Sequence, residues 1–329
     1  MSPPTCRAIV IRDGKLVEDT IALPPLEDDK VLVKINAAAF NPTDRLAIDV
    51  NAFGNGATGD RIGALIWGGE IAGLGAYSSY CIADEKISYH IPNGISFPAA
   101  ATLPLAINTA WLALFSSDCL HLSRTCLEAT LLVWGGSTAV GSYAIELAKH
   151  FGIDVIATCS PANADSVRKL GASQVFDYRD PDITSYIRET HPNITHVFDT
   201  VGNATSSATA SSCIAASKGK LCTVRPGKAN TSHIAKNVEV SDVFVFTAFL
   251  KEHSYRNAAF WPANYYQMHP ENHTLSAELY SLLPNLLASG IIHPRPVQSL
   301  GKLSVESVEK AMDLNRQGKV SNAKLCFDI

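Results

Sequence analysis

Apolar and polar positions follow a regular pattern through the middle of the chain. Leu131–Trp134 is a short apolar run typical of a buried parallel strand, and Gly135 and Gly136 turn the chain directly after it. A helical pattern follows, and Asp154–Cys159 then forms a second strand-like run. The order of strand, glycine turn, helix and strand predicts a nucleotide-binding βαβ unit with a pyrophosphate at the start of its helix.

Strand and helix patterns continue to alternate up to about residue 250. This alternation predicts an α/β fold with a Rossmann-type, doubly wound parallel sheet of about six strands. The further predicted strands are Gln174–Phe176, His196–Phe198, Lys220–Val224 and Val243–Phe246, and the further helices are Ala164–Leu170, Ile183–Glu189 and one that starts at Thr205.

The two ends of the chain differ from the middle. Residues 1–100 are rich in strand patterns and the last part mixes helices with strands, so we expect residues 1–105, completed by 265–329, to form one domain around a dinucleotide domain of residues 106–264. The nicotinamide would then lie in the cleft between the two domains. The predicted strands are Arg7–Arg12, Val31–Ala37, Tyr77–Ala83, one near Ile291–Gln298 and Lys324–Ile329, and the predicted helices are Pro98–Leu114 with a kink at Pro104, Leu275–Ser289 and Val305–Arg316.

The glycine turn departs at one position from the pattern GxGxxG. Gly136, Thr138 and Gly141 occupy its three glycine positions, so threonine replaces the middle glycine. An ordinary α/β crossover with a glycine turn is the alternative interpretation. The surrounding order of strand, turn, helix and strand favours nucleotide binding.

The end of the second strand indicates which dinucleotide binds. Enzymes that prefer NAD usually have Asp or Glu there to bond the ribose 2′-hydroxyl, whereas this chain has Thr158, Cys159 and Ser160. Ser160 and Asn163 can donate hydrogen bonds to a 2′-phosphate, so NADPH is favoured over NADH. The nearby Arg168-Lys169 pair is interpreted as a solvated helix face beyond easy reach.

Composition narrows the function classes. Hydrophobic residues make up 47% and charged residues 18% of the 329 residues, which is typical of a soluble globular protein. The net charge of −4 gives no argument for nucleic acid or an anionic membrane as a partner.

The start of the chain lacks the apolar core of a signal peptide and no run is long enough to span a bilayer, so a cytoplasmic location is expected. The eight cysteines and ten histidines show no metal-ligand spacing, which predicts no metal site.

Several motifs resemble one known family. They are NPTD at 41–44, GDRIGALIWGG at 59–69, WGGSTAVG at 134–141, CSPAN at 159–163 and FDYRD at 176–180. The chain resembles the zinc-independent medium-chain dehydrogenase/reductases and, more narrowly, the trans-acting enoyl reductases of fungal polyketide biosynthesis. The likeness covers almost the whole chain and implies a strand-rich GroES-like domain beside the Rossmann domain.

The resemblance also implies a reaction and a partner. An α,β-unsaturated polyketide thioester, held on the acyl carrier of its synthase, would be reduced with NADPH in secondary-metabolite biosynthesis. Hydride would go to the β-carbon, and the enolate would be protonated at the α-carbon. Thr109 would be catalytic, because its hydroxyl can donate a hydrogen bond to the developing enolate oxygen.

The family's binding residues can be placed position by position on this chain. The implied cofactor contacts are Thr43, Asp44, Arg45, Leu46, Ser137, Thr138, Ala139, Val140, Ser160, Pro161, Ala162, Asn163, Tyr178, Val224, Arg225, Val320 and Ser321. The implied substrate contacts are Ala110, Trp111, Leu112, Ala113, Leu114, Phe115, Ser116, Ser117, Phe244, Val245, Phe246, Thr247 and Ala248.

Two features depart from the family pattern. Leu46 replaces the lysine of NPxDxK, and Arg45 points the opposite way if the chain is extended. Between Asp49 and Thr58 the chain is shorter by about three or four typical strands with their turns, so the GroES-like domain is expected to be shortened.

These departures leave alternative functions open. One is a non-reducing descendant that acts as a cyclase, an isomerase or a scaffold in the same kind of pathway. Another is a quinone or enone reductase that acts on free small molecules. A monomer and a dimer are equally compatible with the sequence.

Overall fold

A computed structural model describes residues 5–41, 61–68, 74–125, 129–255 and 264–329. Contacts divide the chain into two compact units. The flanking unit consists of Met1–Leu105, Glu252–Tyr266 and Ser276–Ile329, and the nucleotide unit consists of Ala106–Lys251 and Gln267–Leu275.

The described elements are numbered in chain order. The strands are β1 Thr5–Arg12, β2 Lys15–Ala22, β3 Lys30–Lys34, β4 Ala37–Ala39, β5 Ile62–Ala64, β6 Tyr80–Asp84, β7 Ser88–His90, β8 Thr130–Trp134, β9 Asp154–Cys159, β10 Gln174–Asp177, β11 His196–Asp199, β12 Gly219–Thr223, β13 Val238–Asp242, β14 His253–Tyr255, β15 Asn264–Tyr266, β16 Val297–Lys302 and β17 Lys324–Asp328. The helices are α1 Phe97–Ala101, α2 Pro104–Phe115, α3 Ala139–His150, α4 Ala164–Leu170, α5 Ile183–Thr190, α6 Ser206–Ser212, α7 Pro270–Ala288 and α8 Val305–Arg316.

The nucleotide unit is built on one parallel sheet of six strands. Its spatial order is β10-β9-β8-β11-β12-β13, so β8 and β11 are the neighbours at which the strand order reverses. Apolar residues form these strands because both faces of the sheet are covered; Leu132, Ile156 and Val197 are fully buried. The predicted fold class is confirmed. Ligands of such sheets bind outside the carboxyl ends of the strands at the reversal point.

One predicted strand of this sheet is wrong. The sixth strand is β13, Val238–Asp242, which pairs with β12, while Val245–Ala248 is a 3₁₀ helix. The edge strand alternates valine with polar residues, so it has no apolar run. The run Val243–Phe246 is apolar because it is buried, which periodicity alone cannot distinguish from a strand.

The flanking unit is strand-rich, as predicted. Its described strands pair as β1-β2, β3-β6, β5-β7, β14-β15 and β16-β17-β4. Helix α8 packs through Val308 and Met312 against a core that includes Phe40, Leu325 and Phe327. The strand expected near Ile291–Gln298 begins only at Val297, because Pro294 and Pro296 cannot donate the amide hydrogen bonds of a sheet.

The predicted helix Pro98–Leu114 is divided into α1 and α2, and Pro104 begins the second of them. Among the described residues, the stretch Phe97–Phe115 has the length and composition of a membrane-spanning helix, which the sequence prediction missed. In the structure 72% of it is buried inside the protein, as in a core helix.

Candidate functional site

The glycine turn after β8 has no room for side chains. Gly135 has a φ of +94°, and a Cβ there would lie 2.7 Å from the Thr200 hydroxyl oxygen. A Cβ at Gly136 would lie 2.9 Å from the Cβ of Ala157, and one at Gly141 would lie 2.3 Å from the Gly135 carbonyl oxygen. Glycine therefore allows helix α3 to begin directly against the end of β8.

Thr138 explains why the middle glycine of the motif is replaced. It is the N-cap of α3, and its Oγ1 accepts a hydrogen bond from the Gly141 amide at 2.9 Å. The same hydroxyl donates to Thr200 Oγ1 at 2.9 Å. Thr200 in turn lies 2.9 Å from the carbonyl oxygens of both Trp134 and Gly135, so a chain of hydroxyls joins the ends of β8 and β11.

The first turn of α3 presents backbone donors. The Gly141 and Ser142 amides are bonded to Thr138, whereas those of Ala139 and Val140 have no acceptor within the described parts of the chain. N–H groups at a helix N-terminus point out of the helix and carry partial positive charge. This turn at the reversal point of the sheet fits the pyrophosphate of a dinucleotide.

Asp199, which the sequence analysis missed, shapes the loop after β11. Its side chain is fully buried at the carboxyl end of that strand. One carboxylate oxygen accepts the amides of Val201 and Gly202 at 2.9 and 3.0 Å, and the other accepts the hydroxyls of Ser206 and Ser207 at 2.7 and 2.6 Å. Four donors thus compensate the burial of this carboxylate.

Arg225 connects the loops after β11 and β12. Its Nε donates to the Gly202 carbonyl at 2.8 Å, and Asn230 donates to the same oxygen at 2.8 Å. A Cβ at Gly202 would lie 2.4 Å from Arg225 Cγ. The half-buried Arg225 and its neighbour Val224 therefore lie at the same edge of the sheet as the glycine turn.

Polar groups follow the end of β9. Ser160 is half-buried and precedes a 3₁₀ turn, Pro161–Asn163, in which Pro161 and Ala162 are exposed. The Asn163 side-chain amide donates to the Ser160 hydroxyl at 3.2 Å. The predicted 2′-phosphate donors therefore contact each other, and no acidic residue lies between them in the sequence.

Charged groups from two other elements lie near this end of β9. Burial raises the pKa of the Cys159 thiol, the charge of Arg168 lowers it, and the charge of Asp177 raises it. Arg168 is exposed and paired with Asp165, as expected of a solvated helix face, yet its charge acts at the end of β9. Asp177 at the end of β10 was missed by the sequence analysis. A surface cavity of about 440 Å³ is lined by both residues along β10.

The remaining predicted cofactor contacts lie in different places. Thr43, Asp44, Arg45 and Leu46, and the shortened stretch between Asp49 and Thr58, lie outside the described residues. Tyr178 follows β10 directly and is 48% exposed. Val320 and Ser321 belong to the flanking unit, where Val320 packs on the core beside α8.

The two predicted substrate segments meet through α7. Ser116 donates to Asn272 Oδ1 at 2.8 Å, and Asn272 Nδ2 donates to Thr247 Oγ1 at 3.0 Å. Thr109 and the residues from Ala110 to Ser116 are buried, as is Phe244–Ala248, whereas Ser117 is exposed. Trp111 also donates its indole N–H to the Leu275 carbonyl at 2.7 Å. Packing inside the protein therefore accounts for much of the apolar character of the two segments. Substrate contact by their residues stays a prediction.

Replacing Thr138 with valine is expected to weaken nucleotide binding and to lower stability by about 1 kcal/mol, because the helix loses its cap. Serine at the same position keeps the hydroxyl and should restore both properties. Titration of NADPH by fluorescence, together with urea unfolding, measures both effects. A valine variant with unchanged affinity would show that the cap does not shape the binding turn.

Comparisons with known proteins agree with this fold. A family of zinc-binding dehydrogenases matches residues 139–264. In the described parts of the chain, no group of three or more His, Cys, Asp or Glu residues could hold a metal ion. Among solved structures, a putative zinc-dependent alcohol dehydrogenase from Rhizobium etli superposes with a TM-score of 0.78 at 20% identity, covering 100% of this chain and 99% of the other. A mycobacterial protein solved with NADPH, Rv1454c, has a TM-score of 0.68 at 19% identity, covering 98% and 100%.

Curated relatives identify the family. The trans-enoyl reductase ACTTS2 of Alternaria alternata is 30% identical over 355 aligned positions, which cover 99% of each chain. That alignment is longer than the 329 residues of this chain, so the chain lacks residues that its relative has. A trans-enoyl reductase of Gibberella fujikuroi is 31% identical, covering 96% of this chain and 95% of its own. Together with the Rossmann sheet and its glycine turn, these relatives show that the chain is an oxidoreductase of the medium-chain dehydrogenase/reductase family and belongs to its trans-enoyl reductases.

Proposed function

We propose that this chain reduces the α,β-double bond of an unsaturated polyketide thioester with NADPH. The observation that supports this most directly is the turn at the start of α3, which fits a pyrophosphate. Beside this turn, the end of β9 is followed by Ser160 and Asn163 and has no acidic residue. Full-length relatives named trans-enoyl reductases support the reaction type.

The described residues fit a dinucleotide in three places. The amides of Ala139 and Val140 would bind the pyrophosphate, and the chain from Thr138 to Thr200 holds that turn in shape. Ser160 and Asn163 would bind the 2′-phosphate. When bound, a reduced nicotinamide supplies the hydride that is added to the β-carbon of the substrate.

Thr109 is the proposed catalytic residue for the substrate side of the reaction. It lies on α2 and is 6% exposed. A hydroxyl in a site that excludes water stabilises a developing enolate oxygen more strongly than it would in bulk water. The enolate electrons then take up a proton at the α-carbon, which completes the reduction of the double bond.

The partner follows from the proposed reaction. A trans-acting reductase is a separate chain from the synthase, so its substrate arrives as a thioester on an acyl carrier. We propose this carrier and its synthase as the partner, and the cytoplasm as the place where they meet. Neither nucleic acid nor a membrane is part of the proposal, which is compatible with a monomer or a dimer.

Turnover of a model substrate tests the proposal. Purified protein is mixed with a short α,β-unsaturated pantetheine thioester and either NADPH or NADH, and loss of nicotinamide absorbance is followed. We expect turnover with NADPH and slower turnover with NADH, and we expect T109V to be slower than T109S. Equal or faster reduction of free quinones or enones would instead support a small-molecule reductase.

A further inference from the structure

Asp177 brings an acidic group to the end of β9 from the neighbouring strand. In the parallel pairing of β9 with β10, Asp177 lies directly opposite Cys159, the last residue of β9. Neighbouring strands are about 4.8 Å apart, and paired residues face the same side of a sheet. The influence of Asp177 on the Cys159 thiol agrees with this proximity. The end of β9 has no carboxylate of its own, and the neighbouring strand β10 places one beside it.

An ionised carboxylate at the end of β9 would favour NADH over NADPH. Acidic side chains at the end of the second strand accept a hydrogen bond from a ribose 2′-hydroxyl, and they repel a 2′-phosphate. Hydrogen bonds from Arg179 lower the pKa of the Asp177 carboxyl, so this group is charged at neutral pH. If its charge were not neutralised, the Asp177 carboxylate would weaken the binding of NADPH.

Arg179 provides that compensation. Its Nε lies 2.9 Å from one oxygen of Asp177, and its Nη2 lies 2.9 Å from the other. This bidentate pair neutralises the carboxylate and engages both of its oxygens. A guanidinium has five N–H donors, so Arg179 keeps donors beyond the two that bind Asp177. Arg168, whose charge also acts on Cys159, is paired with Asp165 at 2.8 Å.

We propose that Arg179 determines cofactor specificity by masking Asp177, so that the end of β9 accepts a 2′-phosphate. This inference rests on the proposed use of NADPH and adds to it a residue that no glycine motif contains. The Asp177–Arg179 pair is an exposed one, so its effect should appear in the choice between two nucleotides and not in the stability of the fold.

Binding of two nucleotide fragments tests the proposal without turnover. Calorimetry with the full chain measures the Kd of adenosine 2′,5′-bisphosphate and that of adenosine 5′-monophosphate. We expect R179A to weaken binding of the bisphosphate about tenfold, since an unmasked charge repels the second phosphate. Binding of the monophosphate should stay unchanged. The double variant D177N/R179A should recover most of the lost affinity, because the repelling charge is gone.

R316A is the matched control, because Arg316 forms a similar exposed pair with Asp313 on α8. It should change neither Kd. Equal weakening of both nucleotides by R179A, or no rescue by the double variant, would overturn the masking role. A wild-type protein that binds both fragments equally would instead contradict the proposed NADPH preference. If the wild type clearly prefers the bisphosphate and R179A keeps that preference, only the inference about Arg179 is overturned.

Discussion

The variant G141A is expected to lose nucleotide binding completely and about 3 kcal/mol of folding free energy. An added Cβ would lie 2.3 Å from the Gly135 carbonyl oxygen and 3.0 Å from Thr138 Oγ1. The first of these atoms belongs to the backbone of the binding turn and cannot move without displacing that turn. Helix α3 would therefore shift away from the end of β8, and its first amides would no longer meet a pyrophosphate. NADPH fluorescence titration and urea unfolding measure the two losses.

G94A is the matched control for this variant. A Cβ at Gly94 would meet no atom within 4 Å, although its φ of +87° makes any side chain strained. It should therefore cost about 1 kcal/mol of stability and leave nucleotide affinity unchanged. If G141A bound NADPH as tightly as the wild type, the turn before α3 would not be the binding site.

Replacing Asp199 with alanine is expected to destabilise the nucleotide unit by about 4 kcal/mol. The carboxylate is fully buried and accepts four hydrogen bonds, two from backbone amides and two from serine hydroxyls. Alanine leaves these donors without their acceptor and also frees the loop that holds Arg225. Nucleotide affinity should fall together with stability.

Asparagine at position 199 separates the two contributions. It keeps one acceptor for the amides of Val201 and Gly202, and the serine hydroxyls can rotate to accept from its side-chain amide. The expected loss is therefore smaller, about 1–2 kcal/mol. The exposed Asp313, paired with Arg316, provides the control D313A, which should change stability by less than about 0.5 kcal/mol. A stable D199A that binds NADPH normally would refute the role assigned to this carboxylate.

Local patterns predicted much of the nucleotide unit because its strands are buried on both faces. Apolar runs located β8 and β9, and the glycines after β8 located the turn before α3, where nucleotide binding stays a prediction. Helix α8 was predicted from Val305 to Arg316, as observed, because its N-cap and apolar face are strong local signals. Edge strand β13 was missed, since only one of its five residues is buried and no apolar run marks it.

The polar residues of the candidate site were predicted less well, because their roles depend on neighbours distant in sequence. Asp199 differs from exposed acids only through the four donors that surround it in the fold. Asp177 becomes relevant to the cofactor through its register with Cys159, which a single sequence does not specify. Thr138 appeared as a defect of the glycine motif, whereas its hydroxyl is bonded to Thr200, a residue 62 positions further along the chain.

Transfer of deuterium from the nicotinamide tests the central claim most directly. The protein is incubated with a short α,β-unsaturated pantetheine thioester and with NADPH deuterated at the transferring position of C4. We predict a saturated thioester with one deuterium on its β-carbon and none on its α-carbon. If folded protein that binds the nucleotide left the thioester unsaturated and the NADPH unoxidised, this result would contradict the assignment of this chain as an enoyl reductase.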